Sequence, residues 1–580
     1  MNKVRSLVAA CATISLAMSP LVVSTAAARD SQGEHVGRSQ TQRLGDSLWD
    51  HWRRGRLPGG YKHLVVIYEE NHSFDNLYGR WGEVNGRRVI GTGNASLAHT
   101  IQEDQHGSPY FCLLQNDVNL TSPTPLTSRC QDPEHNVPNS HFSNMPFTID
   151  DYIKPEDTTC PPPETRAGAN GVPKGSGEPG GCTRDIVHRF YEERYQLNDG
   201  RQNRYVTGSD AVGLTMGTYD TTQLPIYQYL HSAGAPKYVI ADHFFQAAFG
   251  GSFLNHQWLV AARSPLDTSH GGTGAENSIL DRNGMPRREP LYNPEPVGDT
   301  IPQDRELTQK CGPNDPFPDD PVRACGDFAV NTIQPSSEPF QHNADGTTPT
   351  QLPLIDDDVF PNIGDRLSDA GISWAWYTGK WNAVNRDPAS APLFQFHHQP
   401  LNYFENYAVG APGRSHLRDE KRFIRAARRG HLPRVSFVKP YGEENEHPGY
   451  ASESEGSSHL VDLLKTITEG PQADSTLVVV TYDEFGGQWD HVSPPGQGLH
   501  ATPGPSDNWG PGTRIPALVL SRSLRKSGVD HTSYDTTSIL ATIERSFGLA
   551  PLSTRDELVN DLANAVATGG RGHRHHHHRW

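Results

Sequence analysis

The chain has 580 residues, 34% hydrophobic and 9% aromatic, enough apolar side chain for one large α/β domain with insertions or for several smaller ones. A formal net charge of −16 argues against a nucleic-acid backbone as the main partner, because phosphates need a basic surface. With 55 glycines and 46 prolines, long structured loops are expected rather than disorder.

In chain order, the first element reads as a targeting segment. Met1–Arg5 is a basic start, residues 6–23 are an apolar core, and Thr25-Ala26-Ala27-Ala28 offers a small-residue cleavage site. Residues 1–28 are therefore expected to be an export signal, followed by a lead segment over 29–59. Ser and Pro interrupt the apolar core, which argues against a retained transmembrane anchor. The working chain is expected to be exported, periplasmic or extracellular.

From residue 60 to 567 short apolar strands alternate with helical spacings, the signature of a parallel sheet with crossover helices. Expected strands are His63–Tyr68, Tyr238–Ala241, Ile372–Tyr377, Val435–Val438, Thr476–Tyr482 and Ile515–Leu520. Leu460, Leu463, Leu464 and Ile467 have helix spacing, stopped by Gly470-Pro471. Ile539, Leu540, Ile543 and Phe547 repeat the pattern, closed by Gly548.

Two regions interrupt this order, near 100–185 and 265–350. They hold Cys112, Cys130, Cys160, Cys182, Cys311 and Cys325, and are expected to be disulfide-stapled excursions from one catalytic domain. Sequence neighbours suggest the pairs 112–130, 160–182 and 311–325, with connectivity open. Residues 568–580 form a His-rich tail, expected to be disordered and able to bind metal loosely.

In parallel α/β sheets active groups collect at the carboxyl ends of strands. The first strand delivers Glu69, Glu70 and Asn71, and the one ending at Tyr482 delivers Asp483, Glu484 and, further on, His491. Strand side chains alternate in direction, so Glu69 is expected to point away from Glu70, while His72, Ser73 and Asp75 begin and brace the next helix. After Ala241 the chain reaches Gly250-Gly251-Ser252 at a helix start. Ser252 can be a helix cap, or a nucleophile that gains from the helix dipole and nearby N–H groups. A serine hydroxyl needs a base or a metal to lose its proton. The carboxylates, amide and hydroxyl are all oxygen ligands, favouring one hard divalent ion such as Ca, Mg or Mn over Zn. His188, His397, His398 and His447 could supply a proton to a leaving alkoxide.

Three motifs carry a resemblance: E-E-N-H-S-F-D-N-L-Y-G at 69–79, N-E-H-P-G-Y at 445–450, and T-Y-D-E-F-G-G-Q-W-D-H-V-S-P-P at 481–495. Together they resemble the bacterial phosphoesterase family that groups secreted phospholipases C with acid phosphatases. The resemblance implies an alkaline-phosphatase-like sandwich, a central mostly parallel sheet flanked by helices. It implies Ser252 as nucleophile, and Glu70, Asn71, Asp483 and Glu484 as metal- and phosphate-binding positions. It also implies His188, His397, His398 and His447 as histidines that line the phosphate pocket and act on the leaving group. Asn255 and His256 fall where the family shapes the pocket or the helix start, and Asn255 is taken here as phosphate-binding. Family phospholipases C usually carry threonine as nucleophile and often add small C-terminal β domains. Serine here, with F-H-H-Q-P at 396–400, favours a secreted metal-dependent phosphatase acting on phosphate monoesters through a phosphoserine. The alternative is a phospholipase C acting on phosphatidylcholine-type diesters, and a silent phosphate-binding relative comes third.

Overall fold

The run His63–Glu69 forms a strand because its β-branched and aromatic side chains suit a surface covered on both faces, and all of it but His63 is buried. A computed structural model describes residues 55–570 apart from 115–125, 155–157, 161–177, 180–182, 184, 187, 210, 266–339, 342–349, 352–354 and 499. All of these described residues lie within one compact unit, Asp50–Trp580. The expected export signal, most of the second excursion and the His-rich tail lie outside the described residues.

The central sheet has eight strands: β1 (His63–Glu69), β2 (Lys237–Ala241), β3 (Trp374–Thr378), β4 (Leu417–Asp419), β5 (Val435–Lys439), β6 (Thr476–Tyr482), β7 (Ala517–Ser521) and β8 (Gly528–Asp530). Their order across the sheet is β4-β3-β5-β1-β6-β7-β2-β8. All six expected strands are present. The edge strands β4 and β8 escaped the sequence because each is three residues long. The sheet is mixed: β7 runs antiparallel to both β6 and β2, and the other pairs are parallel.

Register decides what meets at the sheet's carboxyl edge. Glu69 pairs with Tyr482 across β1 and β6, so the next residues, Glu70 and Asp483, leave the sheet side by side. Six helices matter below: α1 (Phe74–Leu77), α2 (Phe190–Leu197), α3 (Ser252–Ala261), α4 (Glu420–Arg429), α5 (Glu453–Thr468) and α6 (Thr537–Phe547). The apolar stripe of α5 at Leu460, Leu463, Leu464 and Ile467 is buried, as are Ile539, Leu540 and Ile543 of α6. Gly548 ends α6 at φ +70°, where a side chain would be strained. One continuous apolar core runs through these elements from Leu57 to Val566.

In the first excursion Cys112 and Cys130 are bonded, their Cα atoms 6.2 Å apart. The expected 160–182 and 311–325 pairs lie outside what is described. Among the described residues no helix is long and apolar enough to cross a membrane.

Candidate active site

Ser73 caps α1 by accepting from the N–H of Asn76. His72 bonds Asn76 and the carbonyl of Glu446, and Asp75 accepts from Arg514. These three residues brace the structure, and Glu70 and Asn71 are left to face Ser252. Asn71 stands at φ +54°, its N–H donating to Asp483 Oδ1 at 3.0 Å. His491 pairs with Asp75 rather than with the residues around Ser252.

The turn before α3 is fixed by Gly250 at φ +85°, where a Cβ would sit 2.7 Å from the backbone nitrogen of Phe190. Gly251 occupies the cap position with extended backbone, and Ser252 is the first residue of the helix. Its hydroxyl makes no cap bond to the helix. Asn255, taken from sequence as phosphate-binding, has another task. Its Oδ1 accepts from Ala248 N at 3.0 Å, and its Nδ2 donates to the carbonyls of Ala248, Gly250 and Gly251 at 3.0–3.3 Å. With both polar atoms committed to the backbone, Asn255 holds the turn. Glu193 of α2 adds to it by accepting from Gly250 N at 2.6 Å, an element of the site that no sequence motif signalled.

Ser252 Oγ lies 3.1 Å from Glu70 Oε2, 3.3 Å from Asn71 Oδ1 and 3.4 Å from Glu484 Oε1. Asp483 Oδ1 accepts from the N–H groups of Asn71 and Glu484, while its Oδ2 is buried without a hydrogen-bond partner. His188 Nε2 is 3.1 Å from Glu484 Oε1, and His398 Nε2 is 3.0 Å from Glu70 Oε1. His447 receives the Asn71 amide at Nε2, 3.1 Å away, and donates from Nδ1 to the carbonyl of Pro448 at 2.7 Å, the tautomer this network requires. His397 stands one layer back, its ring 4.8 Å from that of His398 and 5.9 Å from that of His256. His256 Nε2 and Nδ1 are each 3.7 Å from a carboxylate oxygen, of Glu70 and Asp483 respectively.

Sequence reading missed Lys439. Its ammonium is buried against Glu70 Oε1 and donates to the carbonyl of Glu69 at 3.1 Å. It is the last residue of β5, so the strand-end rule that found Glu70 and Asp483 reaches it too. Glu69 is fully buried, and burial and then Glu446 push its carboxyl well above the usual range.

Burial opposes ionisation of Glu70, yet His398 and Lys439 outweigh it and hold the carboxyl well below the usual range. Burial and neighbouring acids push Asp483 and Glu484 well above it: Glu70 acts on Asp483, and Asp483 on Glu484. Burial also keeps the imidazoles neutral. His398 falls to about 4 and His447 to about 3, with His256 and His397 well below the ordinary value. The fold thus holds these histidines as neutral hydrogen-bond partners.

Three acid groups around one hydroxyl, with Asp483 Oδ2 unmatched, are a donor set for a cation. Glu70, Asn71, Asp483 and Glu484 offer oxygen, the choice of a hard divalent ion. Glu70 is shared: Oε2 faces Ser252, whereas Oε1 faces Lys439 and His398, and Glu70, His256 and His398 also form a compact nitrogen–oxygen group. The residues fit a metal.

Residues 168–550, more than half of the chain, match the Phosphoesterase family. The protein belongs to that family. Among curated relatives it is 25% identical over 413 residues to phospholipase C B of Mycobacterium tuberculosis, covering 66% of this chain and 64% of that protein. It is 31% identical over 222 residues to phospholipase C A of the same species, covering 35% and 42%. Non-specific phospholipase C6 of Arabidopsis thaliana matches at 29% over 173 residues, 25% of this chain and 32% of the other. The chain thus spans less than two thirds of the length of these relatives. A solved alkaline phosphatase superfamily protein from Vibrio parahaemolyticus aligns over 34% of this chain and 50% of its own, at 11% identity and a TM-score of 0.20, too low to bear on the site.

Proposed function

We propose that the protein hydrolyses phosphoesters through a covalent phosphoserine on Ser252, and that its substrates are phospholipid-type diesters cleaved as by a phospholipase C. The observation that carries the mechanism is Ser252 Oγ, uncapped at a helix N-terminus within 3.4 Å of Glu70, Asn71 and Glu484. Ser252 attacks phosphorus in line, its proton leaving along a hydrogen bond the hydroxyl already makes. The N–H groups at the start of α3 face the charge that develops on the phosphoryl oxygens. His188, His398 and His447 surround the group and orient it by hydrogen bonds, and the departing alcohol takes the proton that Ser252 gave up to its carboxylate partner. Water then hydrolyses the phosphoserine. A divalent cation held by Glu70, Asn71, Asp483 and Glu484 would supply Lewis-acid stabilisation and favour the serine alkoxide. Hard ions fit the oxygen set best.

The curated relatives support the diester reading, since those compared are phospholipases C. A phosphomonoesterase reading keeps one specific support, the serine nucleophile beside the paired His397 and His398. The disulfide Cys112–Cys130 supports work outside the reducing cytoplasm. Phosphatidylcholine and an aryl phosphate, assayed side by side with wild type and Ser252→Ala, decide between the readings. The expected result is release of diacylglycerol by wild type and a loss of at least about 1,000-fold in the variant. Turnover of the monoester alone would replace the diester reading, and full activity of Ser252→Ala would remove the nucleophile.

A further inference from the structure

A second group of metal-ligating side chains lies at the β2–β8 edge of the sheet. The two strands pair in parallel, Ala241 opposite Asp530, so the residues that follow them emerge together: Asp242 and His243 from one, His531 from the other. His243 Nδ1 is 3.0 Å from Asp242 Oδ1, and His531 Nδ1 is 2.8 Å from the same oxygen. The other oxygen, Oδ2, is held by the N–H of Ile90 at 2.8 Å, which fixes the plane of the carboxylate. Asp242 is fully buried, and the two rings keep 14% and 29% of their side-chain surface open.

We propose that Asp242, His243 and His531 form a second metal site, for a borderline first-row ion of the zinc type. Two imidazoles and one carboxylate with an open side suit such an ion and not the hard cation of the phosphoester site. Ligands about 2.0–2.2 Å from zinc stand roughly 3–3.5 Å from one another, so the three atoms need only a slight spreading to admit the ion. Both rings bind through Nδ1, and each N–H moves to Nε2, so no net proton is lost. Other clusters among the described residues lack this fit. Asp75 and Asp490 already hold the guanidinium of Arg514, and His491 pairs with Asp75. The Glu420–Glu444–His459 group offers a single imidazole, and the side chain of Glu444 is 40% exposed.

Bound there, the ion clamps the short edge strand β8 to β2 and leaves Ser252 untouched. The test uses the full-length protein, stripped with a chelator and dialysed against zinc in excess calcium. Wild type is expected to retain one equivalent of zinc more than His243→Ala and than His531→Ala. All three proteins carry the same His-rich tail, so metal held there cancels in the difference. Cobalt in place of zinc is expected to give a visible ligand-field band that both variants lose. Zinc should raise the Tm of wild type and not of His243→Ala, with phosphoester turnover within twofold in all three. His531 is the more exposed of the two rings, so that variant carries the test should His243→Ala fold poorly. Equal zinc retention and equal cobalt spectra in wild type and His531→Ala would overturn the proposal.

Discussion

Lys439 shows what one buried charge does in this site. Its ammonium touches Glu70, lies behind Glu69, and has no exposed surface. Removing one partner of a buried ion pair costs about 3–5 kcal/mol, because the other charge stays in a medium that solvates it poorly. Lys439→Met is therefore expected to destabilise the cation-free protein by about that amount, measured by urea unfolding. Saturating divalent cation should recover part of the loss, since the ion supplies positive charge to the same carboxylates. An equal loss with and without cation would mean that Lys439 acts through packing alone. Of the two readings the sequence left open for Ser252, cap and nucleophile, the fold removes the first. The cap position belongs to Gly251, and only the fold could show that the turn is shifted by one residue.

At the scale of elements, the site is made by strand ends and one tight turn. Gly250 sits at φ +85° against the backbone of Phe190, with no room for a Cβ. Gly250→Ala is expected to cost at least about 3 kcal/mol by combining positive φ with a backbone clash. It should also lower kcat by more than about tenfold, because Ser252 moves with the turn. A Tm loss with kcat unchanged would separate the turn from the chemistry. The strands of this scaffold were legible because apolar runs such as Thr476–Tyr482 have no other use than a doubly covered sheet. The direction of β7 was not legible, since Ile515–Leu520 reads the same in either sense. The sequence left Asn255 between phosphate binding and the shaping of the helix start, because its backbone partners at 248–251 cannot be read from spacing. Lys439 was within reach of the strand-end rule, but the apolar run that marks the strand ends one residue before it, at Val438.

Across the whole molecule, the C-terminal elements lock the catalytic turn in place. Arg555 donates to the carbonyls of Ala247 and Gly510 and pairs with Asp535, joining the segment after α6 to the chain that leads into Ser252. Glu544 of α6 and Asp556 couple the same segment to the core. Burial first, and then the charge and hydrogen bond of Asp556, push Glu544 up to about 10, so it is protonated when folded. An unfolded glutamate titrates near 4.5. Below that pH both states carry the proton and the contribution of Glu544 is fully present. Above it only the unfolded chain releases the proton, and stability falls by about 1.4 kcal/mol per pH unit until the folded form ionises too. Glu544→Gln keeps the shape and a donor toward Asp556 and removes the titration. Thermal unfolding of both proteins from pH 5 to pH 9 should therefore show the variant gaining on wild type as pH rises. A difference in Tm that stays constant over this range would mean that Glu544 is already ionised in the folded protein, and that Arg545 rather than a shared proton joins α6 to the C-terminal segment.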